Sequence, residues 1–534
     1  MAPFPTRSEC VLRELLLAHA ESEPDRVFAV FDDGAEWTFR ETAERSWRCS
    51  GGYAQLGLEQ REPVAAWLPN GKDALVAWFG AAAAGLAYVP LNTAYRGTLL
   101  EHTLNLLRTR VLVLHAWLLD RLAGLDLPHL ERLVVVGDAG EVPDGLPPAL
   151  TWSEVSTAGD ASPPELREPV EPWDEHMLMF TGGTPGRSKA VRRPYVLYLK
   201  MVEAAFDNVG VGAEDRFFVC APMFHGGADV PIYAMLRAGG SVAIVPGFRT
   251  QTFWEDVRRL GCTVAWIHSA MAHFLWDAPA RADDRDNPLR LAMQAPLLPT
   301  FREFGERFDT RIYTVYGMTE LPCPFSILDP VEHRTLGKPW TDEYELDLFD
   351  ERDRPVKDGV PGELVARHRV AWAITPGYVG DPEATERAWR NGWFHSGDVF
   401  VRDADGNYTI VGRVKDSIRR RGENVSAAEV ERELVAHPGI AEAAVIGIAA
   451  AVEQEVMAFL VPAGDEPPAP EAVIAFLEDR LPYYAVPRYL DYIESLPRTV
   501  ALRPDKMSLR ERGVSETTWD REAAGIRLRR ERLS

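Results

Sequence analysis

Short apolar runs alternate with amphipathic stretches through residues 1–170, the pattern of α/β layers with parallel strands. Leu133–Gly137 (Leu-Val-Val-Val-Gly) reads as a buried strand. Ala74–Leu91 (ALVAWFGAAAAGLAYVPL) is long enough to suggest a membrane span. Its Ala and Gly content, and the Gly85-Leu86-Ala87 break before Tyr88-Val89-Pro90, favour instead a buried helix followed by a buried strand. No second candidate span occurs. Asp138–Pro169, rich in Pro, Gly, Glu and Asp, reads as a surface connection. His176–Phe180 reads as a strand running into a Gly/Thr turn that enters a helix, with helix expected from about Val196 to Asn208 and strand–helix units onward to about Asp342. Tyr344–Val411 then alternates apolar and polar residues between turns such as Asp403–Gly406, the signature of an antiparallel β-rich subdomain. Val414–Met507 returns to α/β character: a helix at Ala427–Ala436, strands at Ala443–Ile448 and Val456–Val461, a helix at Pro470–Arg480. The basic Ile526–Ser534 reads as a frayed helix or tail. The expected fold is α/β: a large N-terminal domain of mixed sheets and helices with a β-rich subdomain (residues 1–414), and a small α+β C-terminal domain (residues 415–534).

Composition narrows the function classes. A chain of 534 residues favours two or three domains, and 46% hydrophobic with 26% charged residues is ordinary for a globular protein. The net charge of −22 argues against nucleic acid as a partner, since phosphate backbones demand a basic face. Five scattered cysteines, at 10, 49, 220, 262 and 323, include no C-x-x-C pair, so neither a zinc site nor a disulfide frame is expected. With no apolar signal segment in MAPFPTRSEC, the expectation is a cytoplasmic protein without a membrane span.

The sharpest local chemistry is Thr181-Gly-Gly-Thr-Pro-Gly-Arg-Ser-Lys189. Glycines such as Gly183 and Gly186 let backbone N–H groups approach phosphate oxygens. The hydroxyls of Thr181, Thr184 and Ser188 can donate to the same oxygens, and Lys189 supplies charge. The spacing is neither that of G-x-x-x-x-G-K-[ST] nor of G-x-G-x-x-G. Further motifs follow in order: Tyr316-Gly-Met-Thr-Glu320 after an apolar strand, Gly392-Trp-Phe-His-Ser-Gly-Asp398 before a hairpin, Gly412-Arg-Val-Lys-Asp416 at the expected domain boundary, and Arg421-Gly-Glu-Asn-Val-Ser426 beyond it.

In order and spacing, from about Ala20 to Arg510, these motifs resemble the superfamily of adenylate-forming enzymes: acyl-CoA synthetases, peptide-synthetase adenylation domains and luciferases. Arg420–Glu431 is most similar to carnitine/crotonobetaine-type CoA ligases. The resemblance implies ATP and Mg²⁺ as cofactors and a small acid as substrate. Glu320 would hold Mg²⁺, Thr319 would contact the α-phosphate, and Tyr316 and Gly317 would meet the adenine. Asp398 would accept the ribose hydroxyls, and Arg413 would reach the ribose or phosphate. Lys415 falls at the pivot about which the small domain of such enzymes rotates. Gly422 and Glu423 fall on the path of the CoA arm. His225, Gly226 and Gly227 with Gln294, Ala295 and Pro296 would line the substrate and adenine pocket. Asp229, a turn beyond His225, reads as a solvated helix carboxylate, with contact to a substrate amine as the alternative.

Two departures stand out. Relatives read T-S-G-T-T-G-x-P-K-G at the phosphate turn, where Gly182, Pro185, Ser188 and Ala190 here replace Ser, Thr, Pro and Gly. Relatives also read L-P-R-T-x-x-G-K near the C-terminus, where Leu502 and Arg503 here replace Gly and Lys. Arg503 keeps the charge in a bulkier, planar group, and Lys506 is the other candidate. With Lys189, Thr184 and Glu320, one of them would neutralise the phosphates. The implied reaction is activation of a carboxylic acid as acyl-AMP with release of pyrophosphate, then transfer to CoA. Alternatives are nitrite adenylation for diazotisation of an aryl amine, transfer to a carrier protein, and a non-catalytic ATP-binding module.

Overall fold

A computed structural model describes residues 4–181, 188–332, 335–413, 417–421, 423–451, 453–464, 466–497 and 504–528. Two large sheets share one layer of helices. In the first, the strands lie in the order Phe325–Leu328, Arg311–Tyr316, Leu291–Met293, Val264–Trp266, Arg216–Val219, Ser241–Ile244, Val27–Phe31 and Glu36–Thr38. The interior pairs are parallel and each edge pair is antiparallel. In the second, the order is Ala149–Thr151, Arg132–Val136, Val111–His115, Pro63–Trp67, Ala87–Pro90, Glu175–Thr181 and Lys189–Pro194, parallel save for the last pair.

Successive strand residues face opposite sides of a sheet. Phe217, Val219, Val242 and Ile244 of one sheet, and Val64, Ala66, Val111 and Val113 of the other, meet in one core with the helices between them. Their neighbours Phe218 and Ala243, and Trp67, Leu112 and Val135, face separate outer cores. The helix Lys72–Ala83 belongs to the shared layer and is buried at every position from Ala74 to Ala83, with the buried strand Ala87–Pro90 after it. Apolar residues all round are what a helix covered on both sides requires. A Cβ on Gly80 would stand 2.6 Å from Cys49 Sγ, so this glycine lets the helices Phe39–Gln55 and Lys72–Ala83 close on each other. Among the described residues no helix is long and apolar enough to cross a membrane. All five cysteines are free and buried.

Asp138–Pro169 is more than a connection. It contributes the edge strand Ala149–Thr151 and a one-turn helix, Trp152–Ser156, closed by a capping box between Thr151 and Glu154. Trp152 Nε1 donates to Asp73 Oδ1 at 2.6 Å, and Val155 joins the central core. A three-residue edge strand is too short for its alternation to stand out among turn residues.

The β-rich part is an antiparallel sheet in the order Thr335–Gly337, Tyr408–Arg413, Phe394–Arg402, Gly362–His368 and Tyr344–Phe349. The chain then enters the ribbon Ser417–Arg420/Glu423–Ser426. A sheet of Ile440–Ala449, Gln454–Pro462, Tyr489–Tyr492 and Trp519–Asp520 follows, with the helices Ala427–Val435 and Pro470–Glu478. Ser426 caps the first helix by accepting from the Glu429 amide at 3.3 Å. This smaller unit meets the larger one around residues 92–98. Ala94 packs into its core, Asn92 Nδ2 donates to the Tyr484 hydroxyl at 3.0 Å, and the Thr98 hydroxyl donates to Glu433 Oε1 at 2.7 Å.

Candidate active site

The Gly/Thr segment does not lead from strand to helix. Glu175–Thr181 and Lys189–Pro194 pair antiparallel, with Thr181 opposite Lys189 and Phe180 opposite Ala190, so the described residues on either side of this segment are the two strands of a hairpin. Lys189-Ala-Val-Arg-Arg-Pro is buried except at Lys189 and Arg192, which are partly exposed, so this strand is covered on both faces. Pro194 ends it, because proline has no N–H to give the ladder, and the helix Tyr195–Ala205 begins at the next residue. Gly183, Thr184 and Gly186 lie outside the described residues.

The hairpin's second strand carries a buried cation. Arg193 donates to Asp229 Oδ2 at 2.7 Å, with side-chain exposures of 1% and 0%. The Tyr198 hydroxyl lies 2.6 Å from Arg193 Nη1 and also donates to Asp229. Asp229 is therefore neither solvated nor available to a substrate amine. It ties the helix Gly226–Ala238 to the hairpin.

Lys189 and Glu320 come together around Tyr378. Lys189 Nζ stands 4.8 Å from the centre of the Tyr378 ring, and the Tyr378 hydroxyl donates to Glu320 Oε1 at 3.0 Å. Burial, followed by the charge of Glu320, pushes the Tyr378 phenol well above its ordinary range, so it remains a donor. Thr375 and the segment after it run beside the hairpin's second strand. The Thr375 amide donates to the Glu320 carbonyl at 2.8 Å, and Arg192 and Gly377 are joined through their backbones at 3.1 Å. Tyr378 was not among the sequence candidates. Its one local mark is Gly377-Tyr378 shortly before a helix capped by Asp381 with Pro382 as its first residue.

Tyr316, which ends a parallel strand, donates through its hydroxyl to Asp398 Oδ2 at 2.8 Å. Asp398 is 3% exposed and sits within the strand Phe394–Arg402, not ahead of the hairpin. Its register partner is Arg413. Gly317 follows Tyr316 where a Cβ would stand 2.7 Å from Cys323 Sγ. Ala295 and Pro296 follow the neighbouring strand Leu291–Met293, and fully buried Gln294 precedes them.

Thr181, Thr319 and His225 of the large unit and Glu423 of the small one line a single cavity. His225 accepts from the Gly227 amide through Nδ1 at 3.1 Å, leaving Nε2 to carry the proton. Burial, reinforced by Arg419 and Arg193, pulls His225 down to about 4, so it is neutral near pH 7. Gly226 and Gly227 open its helix. Glu423 is pushed up to about 7 by burial, which outweighs the nearby Arg419, while Glu453 adds to the rise. On the cavity's rim the Ser188 amide donates to Glu429 Oε1 at 2.7 Å. Lys506 instead pairs with Glu431 Oε1 at 2.7 Å, within the small unit. Lys415, Gly422 and Arg503 lie outside the described residues, as does the side chain of Arg413.

The family profile described as AMP-binding enzyme matches residues 16–379, and that of the AMP-binding enzyme C-terminal domain matches residues 429–501. The chain belongs to the AMP-binding enzyme family. It is 31% identical to triostin synthetase I of Streptomyces triostinicus, over 94% of this chain and 94% of that protein. It is also 31% identical to a sulfoacetate–CoA ligase of Cupriavidus necator, over 93% of this chain and 97% of that one. The amide bond synthetase McbA of Marinactinospora thermotolerans shares the fold, with a TM-score of 0.80 at 22% identity over 94% of this chain and 99% of McbA. The chain is thus an adenylate-forming, AMP-binding ligase with the two-part α/β architecture of its relatives.

Two predictions follow from this geometry. Asp398→Ala is expected to weaken ATP binding by tenfold to a hundredfold, roughly the loss of one or two hydrogen bonds to a charged group at about 1.5 kcal/mol each. Titration calorimetry with ATP measures it, and unchanged affinity would remove Asp398 from the nucleotide site. Glu423 has a folded pKa of about 7 against an ordinary 4.5, so the folded state keeps a proton that the unfolded chain gives up. Stability from this group is full below about 4.5 and is lost as pH rises through about 7. Calorimetric Tm against pH should therefore decline across that window, and Glu423→Gln should flatten the decline. An equal slope in the variant would assign it to other groups.

Proposed function

We propose that this protein activates a small carboxylic acid with ATP and passes the acyl group to the thiol of CoA. The observation that carries the reading is the shared cavity, where Thr181 and Thr319 of the large unit face Glu423 of the small one. In the first half-reaction a carboxylate oxygen of the acid attacks the α-phosphorus. An O–P bond forms, the α–β bridging bond breaks, and pyrophosphate leaves. The protein's part is positioning and charge neutralisation. Lys189 serves the phosphates with the turn at residues 181–188. Tyr378, between Lys189 and Glu320, keeps the ammonium and the carboxylate from collapsing onto each other. Asp398 and Tyr316 hold the nucleoside, with Gly317, Ala295, Pro296 and Arg413 around it.

Mg²⁺ fits Glu320, a hard oxygen donor that is only partly buried. Among the described residues no group of three potential ligands surrounds it, which suits an ion that takes most of its oxygens from phosphate and water. When bound, it would offset phosphate charge.

In the second half-reaction the thiol sulfur attacks the acyl carbonyl, loses its proton, and AMP leaves. Glu423 belongs to the face of the small unit turned toward the cavity, while Lys506 is held away on Glu431. We read this as the arrangement for transfer. Rotation about Lys415 would bring Arg503 or Lys506 round for adenylation. Ser188 stands where relatives carry proline, and only a non-proline residue has the N–H that Glu429 accepts. That bond docks the small unit on the phosphate hairpin in the transfer arrangement.

ATP–pyrophosphate exchange over a panel of acids, with CoA added or withheld, tests the reading. At least one acid should support exchange, and CoA should convert that acid to a thioester. Exchange without thioester would overturn the CoA half, and absence of ATP binding would overturn both. Ser188→Pro and Glu429→Ala are expected to slow single-turnover transfer by about tenfold, the scale of one hydrogen bond, while leaving adenylation within about twofold. Equal slowing of both half-reactions would remove the docking role.

A further inference from the structure

The carboxyl ends of neighbouring parallel strands, Arg216–Val219, Val264–Trp266, Leu291–Met293 and Arg311–Tyr316, emerge along one edge of the eight-stranded sheet, where open α/β sheets bind ligands. Gln294 stands one residue past the third strand and His268 two past the second. Met293 is the register partner of Trp266, and the Ile267 amide donates to the Met293 carbonyl at 2.8 Å, so the two side chains start from adjacent places. Gln294 is 0% exposed, yet neither its Oε1 nor its Nε2 has a partner, and His268 Nε2 is likewise buried and unpartnered. Buried side-chain groups are nearly always hydrogen-bonded, so this cluster is built for something it does not itself contain.

The chemistry of that missing group can be read from the donors and acceptors. With its proton on the other ring nitrogen, a neutral His268 offers its buried, unpartnered Nε2 as an acceptor. A Cβ at position 227 would stand 2.8 Å from His268 Nε2, so Gly227 keeps the approach to that nitrogen open. The His225 ring, 6.1 Å from that of His268 and perpendicular to it, lines the cavity. The charges nearby are already spent. Arg193 and Asp229 hold each other, and Arg419 lies 3.8 Å from Glu453. Burial draws His268 down to about 3, so both imidazoles are neutral near pH 7. A second carboxylate, a sulfonate or an ammonium on the substrate would be desolvated here without a counter-ion.

We infer that the acid activated by this protein carries, away from its carboxylate, an uncharged hydroxyl or aromatic amino group that donates to His268 Nε2 and is held by the amide of Gln294. The inference rests on the acid-activating reading above and names its substrate class. Sites built to bond a hydroxyl or N–H reject analogues lacking it far more strongly than apolar pockets discriminate by size.

The test is acid-dependent ATP–pyrophosphate exchange with matched pairs: benzoate against its hydroxy and amino derivatives, hexanoate against hydroxyhexanoates, and phthalate as the dianionic control. At least one substituted acid should exceed its parent by tenfold or more in kcat/KM. Gln294→Met and His268→Phe should each erase that preference through KM, with ATP affinity and Tm retained. Parent acids used equally well, preference for phthalate, or selectivity intact in both variants would overturn the inference alone. If ATP binds and none of the acids supports exchange, the acid-activating reading falls with it.

Discussion

One buried guanidinium sets the geometry on which the rest of the site depends. Arg193 comes from the strand that closes the phosphate hairpin, and Asp229 from the helix that begins beside His225. Their bond locks the strand that begins at Lys189 to the helix that begins beside His225, and the charge of Glu320 acts on the same guanidinium. A buried ion pair adds little net stability over well-packed apolar residues, but losing one partner costs about 3–5 kcal/mol because the other charge is left stranded. What the pair contributes is therefore definition. The hairpin and the pocket helix have one relative placement in which neither charge is orphaned, and Tyr198 can share Asp229 only in that placement.

That same pair shows where sequence reasoning runs out. The architecture was legible, because strands in the two large sheets alternate between shared and outer cores, and the sandwiched helix Lys72–Ala83 is apolar all round. Ordered motifs placed Tyr316, Glu320 and Asp398, and the fold joins Tyr316 to Asp398 directly. Chain positions 193 and 229, 320 and 378, or 188 and 429 cannot be paired by any local period. Asp229 looked solvated because its own helix turn gives no hint of a guanidinium arriving from another strand. The hairpin at the phosphate turn was misread as strand-to-helix because glycine-rich turns serve both, and the six-residue strand after it is quickly replaced by helix. Tyr378 carries no signal in the sequence because a lone tyrosine between Gly377 and Val379 has no mark of its own until its neighbours in space are known.

Net charge also misleads at this scale. The chain carries −22 overall, yet the cluster of His225, His268 and Gln294 holds neutral imidazoles and a neutral amide beside a compensated ion pair. Lys189 and Glu320, by contrast, sit on either side of one phenol. A substrate of the proposed class would keep its single negative charge near these groups and offer neutral groups to the cluster.

The two half-reactions proposed for this cavity would demand that the small unit be held and also released. Among the described residues its polar ties to the large unit include Asn92–Tyr484, Thr98–Glu433 and Ser188–Glu429, with Ala94 inserted in its core. At a net value of about 0.5–1.5 kcal/mol per bond, such ties hold an arrangement without trapping it. Interfaces between domains of one chain are commonly of this modest, partly polar kind, and motions across them run in microseconds to milliseconds. The Lys506–Glu431 bond is different, since both partners belong to the small unit and would travel together in any swing. Lys506 must break that bond before it can reach a phosphate, whereas Arg503 has the bidentate geometry that phosphate favours. On that ground Arg503 is the better candidate to complete the adenylation arrangement, with Lys506 joining the short helix it opens to the helix Ala427–Val435 through Glu431.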